Sequence, residues 1–189
     1  RQLNVHVEEE DWHTTLDSVI EELRPYVEAR GRNLKVIHTD KTLPSVAIDR
    51  VSIYEVLSNL IDNAVKYSPD DDIITIQTDL TKDGMVQTTI SDNGIGIPVS
   101  VIDHLFDKFY RSHRSRENVG GTGLGLFLCK AIIEAHSGTI WVHSKEGEGA
   151  TFGFNLPHYS AVADTMKHNK PHIVRNSHGW IKNHGAIRR

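Results

Sequence analysis

Glu55, Asn59, Asn63 and Lys66 follow one another at intervals of four, four and three residues, the spacing that brings side chains to one face of an α-helix. Val56, Leu57, Leu60, Ile61 and Ala64 give the same segment an apolar face, as a helix packed on a core requires. Two carboxamides and an ammonium one turn apart suit phosphate oxygens and a hydrated divalent cation, because Mg2+ takes oxygen ligands and keeps several waters. Read alone, the stripe fits an ordinary solvated helix face equally well.

Three further segments carry candidate chemistry. Ile90-Ser-Asp92-Asn-Gly94-Ile-Gly96-Ile97-Pro98 ends a strand-like run in a glycine turn. A carboxylate there could accept a hydrogen bond from the exocyclic amine of adenine, an edge at which guanine presents an acceptor instead. Asp-Asn-Gly is also plain turn chemistry. Gly120-Gly121-Thr122-Gly123-Leu124-Gly125-Leu126 runs into an apolar helix pattern, and glycine-rich backbone opening a helix is a ready anion site. It lacks the closing Lys-Ser/Thr of a P-loop and does not follow a first strand as a dinucleotide fingerprint would. Between the two lies Leu105-Phe-Asp-Lys-Phe109-Tyr110-Arg111-Ser-His-Arg114-Ser-Arg116. Three aromatics and three arginines there, without strong periodicity, read as a mobile lid over about 107–120 or as a solvated loop.

The elements that must hold these residues can be placed by periodicity. Asp11 is a helix cap and Leu16, Val19, Ile20, Leu23 and Val27 recur at helical spacing, predicting a helix over 12–30 stopped by Gly31. A strand is expected at 33–39 and a short one at 45–48. A helix over 49–67 follows, then strands at 73–80 and 85–91 joined by Thr-Lys-Asp-Gly. A short helix near 99–105, a helix over 123–137 and a closing hairpin of 139–144 with 150–156 complete the pattern. This order predicts an α/β two-layer sandwich: a mixed, mostly antiparallel sheet of about five strands, with about three helices on one face.

The 189 residues suffice for one domain, and the hydrophobic and charged fractions of 38% and 24% are those of a globular protein. The formal charge of −4 gives no electrostatic case for nucleic acid or a membrane surface. The charge is uneven: 15 Lys+Arg face 24 Asp+Glu over 1–157, against 6 and 1 over 158–189. Cys129, the single cysteine, reads as a small buried hydrophobe. No run approaches membrane-spanning length. Residues 1–11 read as a connector, 12–157 as the folded unit, and 158–189 as a basic appendage, loosely docked or partly helical.

Taken in order, Asn-x-x-x-Asn-Ala, Asp-x-Gly-x-Gly-Ile-Pro, Phe-x-x-Phe-Tyr-Arg and Gly-Thr-Gly-Leu-Gly-Leu resemble the N box, first glycine box, F box and second glycine box of sensor histidine kinases. The family's nucleotide domain shares its fold with gyrase, mismatch-repair and heat-shock chaperone ATPases. The resemblance covers about 12–157 and implies ATP and Mg2+ as cofactors, with a mobile ATP lid. It makes Asn63 the metal ligand, sets Asn59 against the phosphates, gives Lys66 a phosphate contact and packs Tyr67 near the nucleotide. Asp92 would bind the adenine amine, with Gly94, Gly96 and Ile97 forming that wall and Phe109 beside the nucleotide. Gly121, Thr122, Gly123 and Gly125 would close the phosphate side, with Leu124 and Leu126 packing the helix beneath. Arg111, Arg114 and Arg116 become lid candidates for γ-phosphate contact.

The implied partners are a histidine-bearing dimerisation domain and a response-regulator receiver domain, and the implied location is cytoplasmic, in a parent that membrane segments elsewhere could anchor. None of the twelve histidines has the context of the family's phosphoacceptor; His136 matches a position commonly filled by histidine after the second glycine box, where packing or capping is the natural role. Two other readings come with the fold: a clamp or chaperone ATPase, and a nucleotide-binding pseudokinase. In the gyrase-like and mismatch-repair branches a glutamate stands four residues before the metal-binding Asn. Here that position is Asn59, with negligible basicity, and Glu55 is about 6 Å further along the helix axis. That favours phosphoryl transfer over hydrolysis, and no box is broken as a pseudokinase would allow.

Overall fold

A computed structural model of the chain describes residues 3–110 and 123–168. The chain runs β1 (Glu8–Glu10), α1 (Trp12–Glu28), β2 (Asn33–Ile37), β3 (Val46–Ile48), α2 (Arg50–Tyr67), β4 (Ile73–Leu80), β5 (Val86–Asp92), α3 (Val99–Ile102), α4 (Gly125–Ala135), β6 (Thr139–Ser144), β7 (Ala150–Leu156) and α5 (Tyr159–His168). Five strands form one sheet in the order β2-β4-β5-β7-β6. Only the β2–β4 pairing is parallel; the other three are antiparallel. This is the two-layer α/β sandwich expected from the periodicity, with α1, α2 and α4 on one sheet face.

Alternation explains why the layers meet. Val86, Thr88, Ile90 and Asp92 of β5 turn inward, as do Ala150, Phe152, Phe154 and Leu156 of β7. They join the buried faces of α1, α2 and α4 in one core. Trp12 opens α1 nearly fully buried. Its ring stands edge-on to Phe154 at 5.9 Å and its indole N–H donates to Thr88 Oγ1 at 2.8 Å, so the largest core side chain leaves no polar group unpaired. Cys129 is buried against Val56, and burial pushes its thiol up to about 12, which makes it inert as a nucleophile.

Two outcomes differ from the periodicity. β3 does not join the main sheet; it pairs antiparallel with β1, Glu8 opposite Ile48 and Glu10 opposite Val46. Val46 also bridges to His158, and the Tyr159 N–H donates to Ser45 O at 2.7 Å. That anchor starts α5, a helix the apolar pattern does not reveal because backbone bonds hold its first residue. Residues 169–189 lie outside the described residues, as does most of the proposed lid.

His136 ties α4 to α2. Its Nδ1–H donates to Ile132 O at 2.7 Å and its Nε2 accepts the Asp49 N–H at 3.0 Å. Asp49 is the N-cap of α2, so one imidazole closes the end of one helix and braces the start of another. This is the capping role the sequence suggests. The bond from the Asp49 N–H requires the neutral ring, protonated at Nδ1 only, and burial holds its pKa below the ordinary histidine value of 6.5.

A depressed histidine pKa makes the unfolded chain the better proton binder below about pH 6.5. Stability is therefore full above that pH and falls as pH drops toward the folded-state value, by up to about 1.4 kcal/mol per unit. His136→Gln keeps an acceptor for Asp49 but cannot titrate. The stability difference between wild type and His136→Gln, from urea unfolding at pH 5 to 8, is expected to shrink below about pH 6.5. A pH-independent difference would mean that the ring is protonated in both states or in neither.

Candidate functional site

The site is built around α2, the middle helix of the three. The Asp49 carboxylate caps it by accepting the Ser52 N–H at 3.2 Å. Its buried residues, Ile53, Val56, Leu57, Leu60, Ile61, Ala64 and Val65, face the core, leaving Glu55, Asn59, Asn63 and Lys66 on the outward stripe. Asn59 and Asn63 are half-buried, Glu55 is exposed, and the Lys66 side chain is one-third exposed.

The first glycine turn closes on the C-terminal end of this helix. The Ile95 N–H donates to Tyr67 O at 3.2 Å, and a Cβ on Gly94 would collide with that same carbonyl oxygen. Asp92, only 9% exposed, accepts the Gly94 N–H through Oδ1 at 2.8 Å. Burial pushes its carboxyl up from the usual carboxylate range and the nearby Asp72 charge adds to this, while backbone bonds from Gly94 and Ala150 act against it. The carboxylate is thus desolvated and fixed at one oxygen, as a base-recognising acceptor would be.

Sequence reasoning missed what holds this turn. Buried Asp72 accepts the Asn93 N–H through Oδ2 at 2.9 Å and the Asn93 side-chain amide through Oδ1 at 2.7 Å. On the other side stands the β6–β7 hairpin. Ser144 Oγ accepts the Ile97 N–H at 2.9 Å and donates to Gly149 O at 2.6 Å, while the Gly147 N–H donates to Ile95 O at 2.7 Å. Gly96, at φ +67°, lies where a Cβ would strike the Lys145 carbonyl oxygen. Glu-Gly-Glu-Gly is legible as a turn; its contact with a loop some 50 residues away is not.

The second glycine segment meets the middle of α2. A Cβ on Gly125 would lie 2.8 Å from Asn59 Oδ1, so a larger residue at the start of α4 would have to displace this carboxamide. Asn59 Nδ2 donates to Glu55 O at 2.9 Å. Leu124, the N-cap residue, supplies no side-chain hydrogen bond to the helix start, and first-turn N–H groups of this kind suit an anionic acceptor. Half-buried Leu126 and Ile97 pack against the core, and Gly123 takes φ +72°.

The remaining candidates divide. Lys66 Nζ pairs with Asp62 Oδ2 at 2.7 Å. Tyr67 is half-buried beside the first glycine turn. Phe109 is 64% exposed with φ +63°, its N–H donating to Gly123 O at 3.1 Å; it ties the F box to the second glycine segment without entering the wall around Asp92. Arg111, Arg114, Arg116, Gly121 and Thr122 lie outside the described residues.

The family described as "Histidine kinase-, DNA gyrase B-, and HSP90-like ATPase" matches residues 48–160. Sensor histidine kinase WalK of Bacillus subtilis is 43% identical over 121 residues, 63% of this chain and 20% of WalK. Adaptive-response sensory kinase SasA of a Synechocystis strain is 43% identical over 129 residues, 68% of this chain and 33% of SasA. The chain therefore spans a fifth to a third of these relatives. Among solved structures, the nucleotide-free catalytic domain of histidine kinase ThkA superposes with a TM-score of 0.67 at 26% identity, over 81% of this chain and 96% of that one. Full-length ShkA in complex with AMPPNP gives 0.72 over 83% of this chain and 32% of that one, a likeness of fold at 23% identity. Matching motifs, fold and relatives agree: the chain belongs to the histidine kinase-, DNA gyrase B- and HSP90-like ATPase family, as a catalytic ATP-binding domain of the sensor histidine kinase kind.

Proposed function

We propose that this domain holds ATP along α2 with Mg2+ and presents the γ-phosphate to a histidine on a separate dimerisation domain, a response-regulator aspartate being the eventual acceptor. The observation that carries it is the arrangement around α2: the Asp92 turn closes on Tyr67 at one end, and the start of α4 closes on Asn59 about 12 Å back along the axis. Base and phosphates are then recognised at separate places on one rigid helix.

The donor set fits Mg2+. Half-buried Asn63 offers an amide oxygen, a hard donor of the kind this cation takes, which would serve beside oxygens of the nucleotide. Bound there, the cation offsets phosphate charge. The protein's own contributions are the Asp92 acceptor for the adenine amine, Asn59 and the α4 N–H groups toward the phosphates, and the Lys66 ammonium. Hydrolysis is disfavoured because Asn59 stands where a general base would be needed, Glu55 one turn back is exposed, and the Asp62 carboxylate one turn on is engaged by Tyr26 and Lys66. Among the described residues no helix is long and apolar enough to cross a membrane; a cytoplasmic setting is part of this proposal.

Two measurements test it. Mixed with ATP, Mg2+ and a separately made dimerisation domain of the parent, the domain is expected to yield acid-labile phosphate on the latter; release of inorganic phosphate alone would favour the hydrolase. ATP is expected to bind well ahead of GTP, and Asp92→Asn to weaken ATP by about 1–3 kcal/mol, since the Gly94 N–H takes the one oxygen that remains and the new amide nitrogen would face the adenine amine, donor against donor. Equal affinities of the wild type for ATP and GTP would remove Asp92 from base recognition.

A further inference from the structure

Lys66 is not presented by α2 alone. At about 100° per residue its position on the helix falls between Asp62 and Asn63, with Asn59 beside it. Asp62 lies on the side of α2 that faces α1. There the Tyr26 hydroxyl donates to Asp62 Oδ1, while Asp62 Oδ2 takes the Lys66 ammonium at 2.7 Å. Tyr26 is itself held: the Arg30 guanidinium stacks over its ring at 3.6 Å, and Arg30 Nη1 donates to Tyr26 O at 3.1 Å. Burial and the bond to Asp62 keep the phenol protonated by raising its pKa. The carboxylate therefore spends one oxygen on each neighbour.

An isolated surface pair between Asp and Lys four residues apart stabilises a helix only slightly. This pair is one-third exposed or less, at 28% and 33%, and its acid is fixed from a second helix. A lysine stem is flexible, and ordering it when a ligand arrives costs affinity. An ammonium has three N–H donors, so contact with Asp62 does not by itself exclude phosphate.

We propose that Tyr26 and Asp62 are positioning residues for Lys66: the phenol of α1 fixes the carboxylate, and the carboxylate holds the ammonium over the Asn63 turn for nucleotide phosphates. The inference rests on the reading of Lys66 as a phosphate contact. Its signature is selectivity for the phosphate end of the ligand. Tyr26→Phe, which keeps the ring, is expected to weaken Mg-ATP binding by the 189-residue chain about three- to tenfold and to leave adenosine binding unchanged. In a Lys66→Met background the same substitution is expected to have no further effect on ATP, because its route to the ligand is gone.

Calorimetry with ATP, and adenosine by competition, on wild type, Tyr26→Phe, Lys66→Met and the double variant decides it. If Lys66→Met binds ATP like wild type, Lys66 is not a phosphate contact and the inference falls with that reading. If Lys66→Met weakens ATP but Tyr26→Phe leaves it unchanged or tighter, the reading of Lys66 survives and the positioning role is overturned. Additive losses, or an equal loss for adenosine, would make Tyr26 a structural residue and overturn it too.

Discussion

Asn63→Ala is expected to abolish magnesium-dependent ATP binding, by about 100-fold or more, while the domain stays folded. The magnitude follows the loss of a protein oxygen from a shell that otherwise consists of ligand oxygens and water. The fold should survive because Asn63 is half-buried on the polar stripe while Ala64, Leu60 and Ile61 carry the packing, and alanine favours a helix interior. Calorimetry with and without Mg2+, beside a thermal melt, checks both halves. A melted variant would make Asn63 structural and end its assignment to the metal.

Gly94→Ala is expected to cost about 3 kcal/mol of stability, the upper end of overpacking, and to remove nucleotide binding with it. The added methyl would meet the Tyr67 carbonyl oxygen, which also accepts the Ile95 N–H, and would stand 2.7 Å from Asp92 Oδ1. Neither neighbour can yield: one is helix backbone, the other is pinned by the Gly94 N–H itself. Gly84→Ala is the control. Its φ of +81° strains alanine, but its surroundings are open, so it should lower stability by about 1 kcal/mol and leave ATP affinity alone. Equal losses of affinity in the two variants would mean that the turn at Gly94 has no special part in the site.

The scaffold of the candidate site was legible wherever one element carries its own signal. The stripe Asn59-Asn63-Lys66 on an apolar helix fixes α2 within a residue of Arg50–Tyr67, and alternation fixes β4, β6 and β7. Less was visible where meaning comes from a distant partner. Asp72 looks like one of three consecutive aspartates, yet it is the buried one that holds Asn93. Ser144 is an unremarkable strand end until Ile97 and Gly149 meet at its hydroxyl. Tyr26 and Asp62 are 36 residues apart, beyond any periodicity. The β1–β3 pairing escaped for another reason: three residues are too few for alternation to declare a strand.

That small ribbon has a mechanical meaning. Glu8 pairs with Ile48, and the His6 N–H donates to Asp49 Oδ2 at 3.1 Å. Residues 3–7 and the start of α2 therefore leave the ribbon from the same end. Tension between them loads the pairs one at a time, as a zipper is opened, rather than all together as in shear. The first link under load is His6 to Asp49, and the Asp49 carboxylate also caps the helix that carries Asn59 and Asn63. A tug or twist entering through residues 3–7 thus reaches the nucleotide helix at its cap before it disturbs the main sheet. A single-molecule tether on the N-terminal segment should register a low-force peeling step ahead of the rupture of the domain.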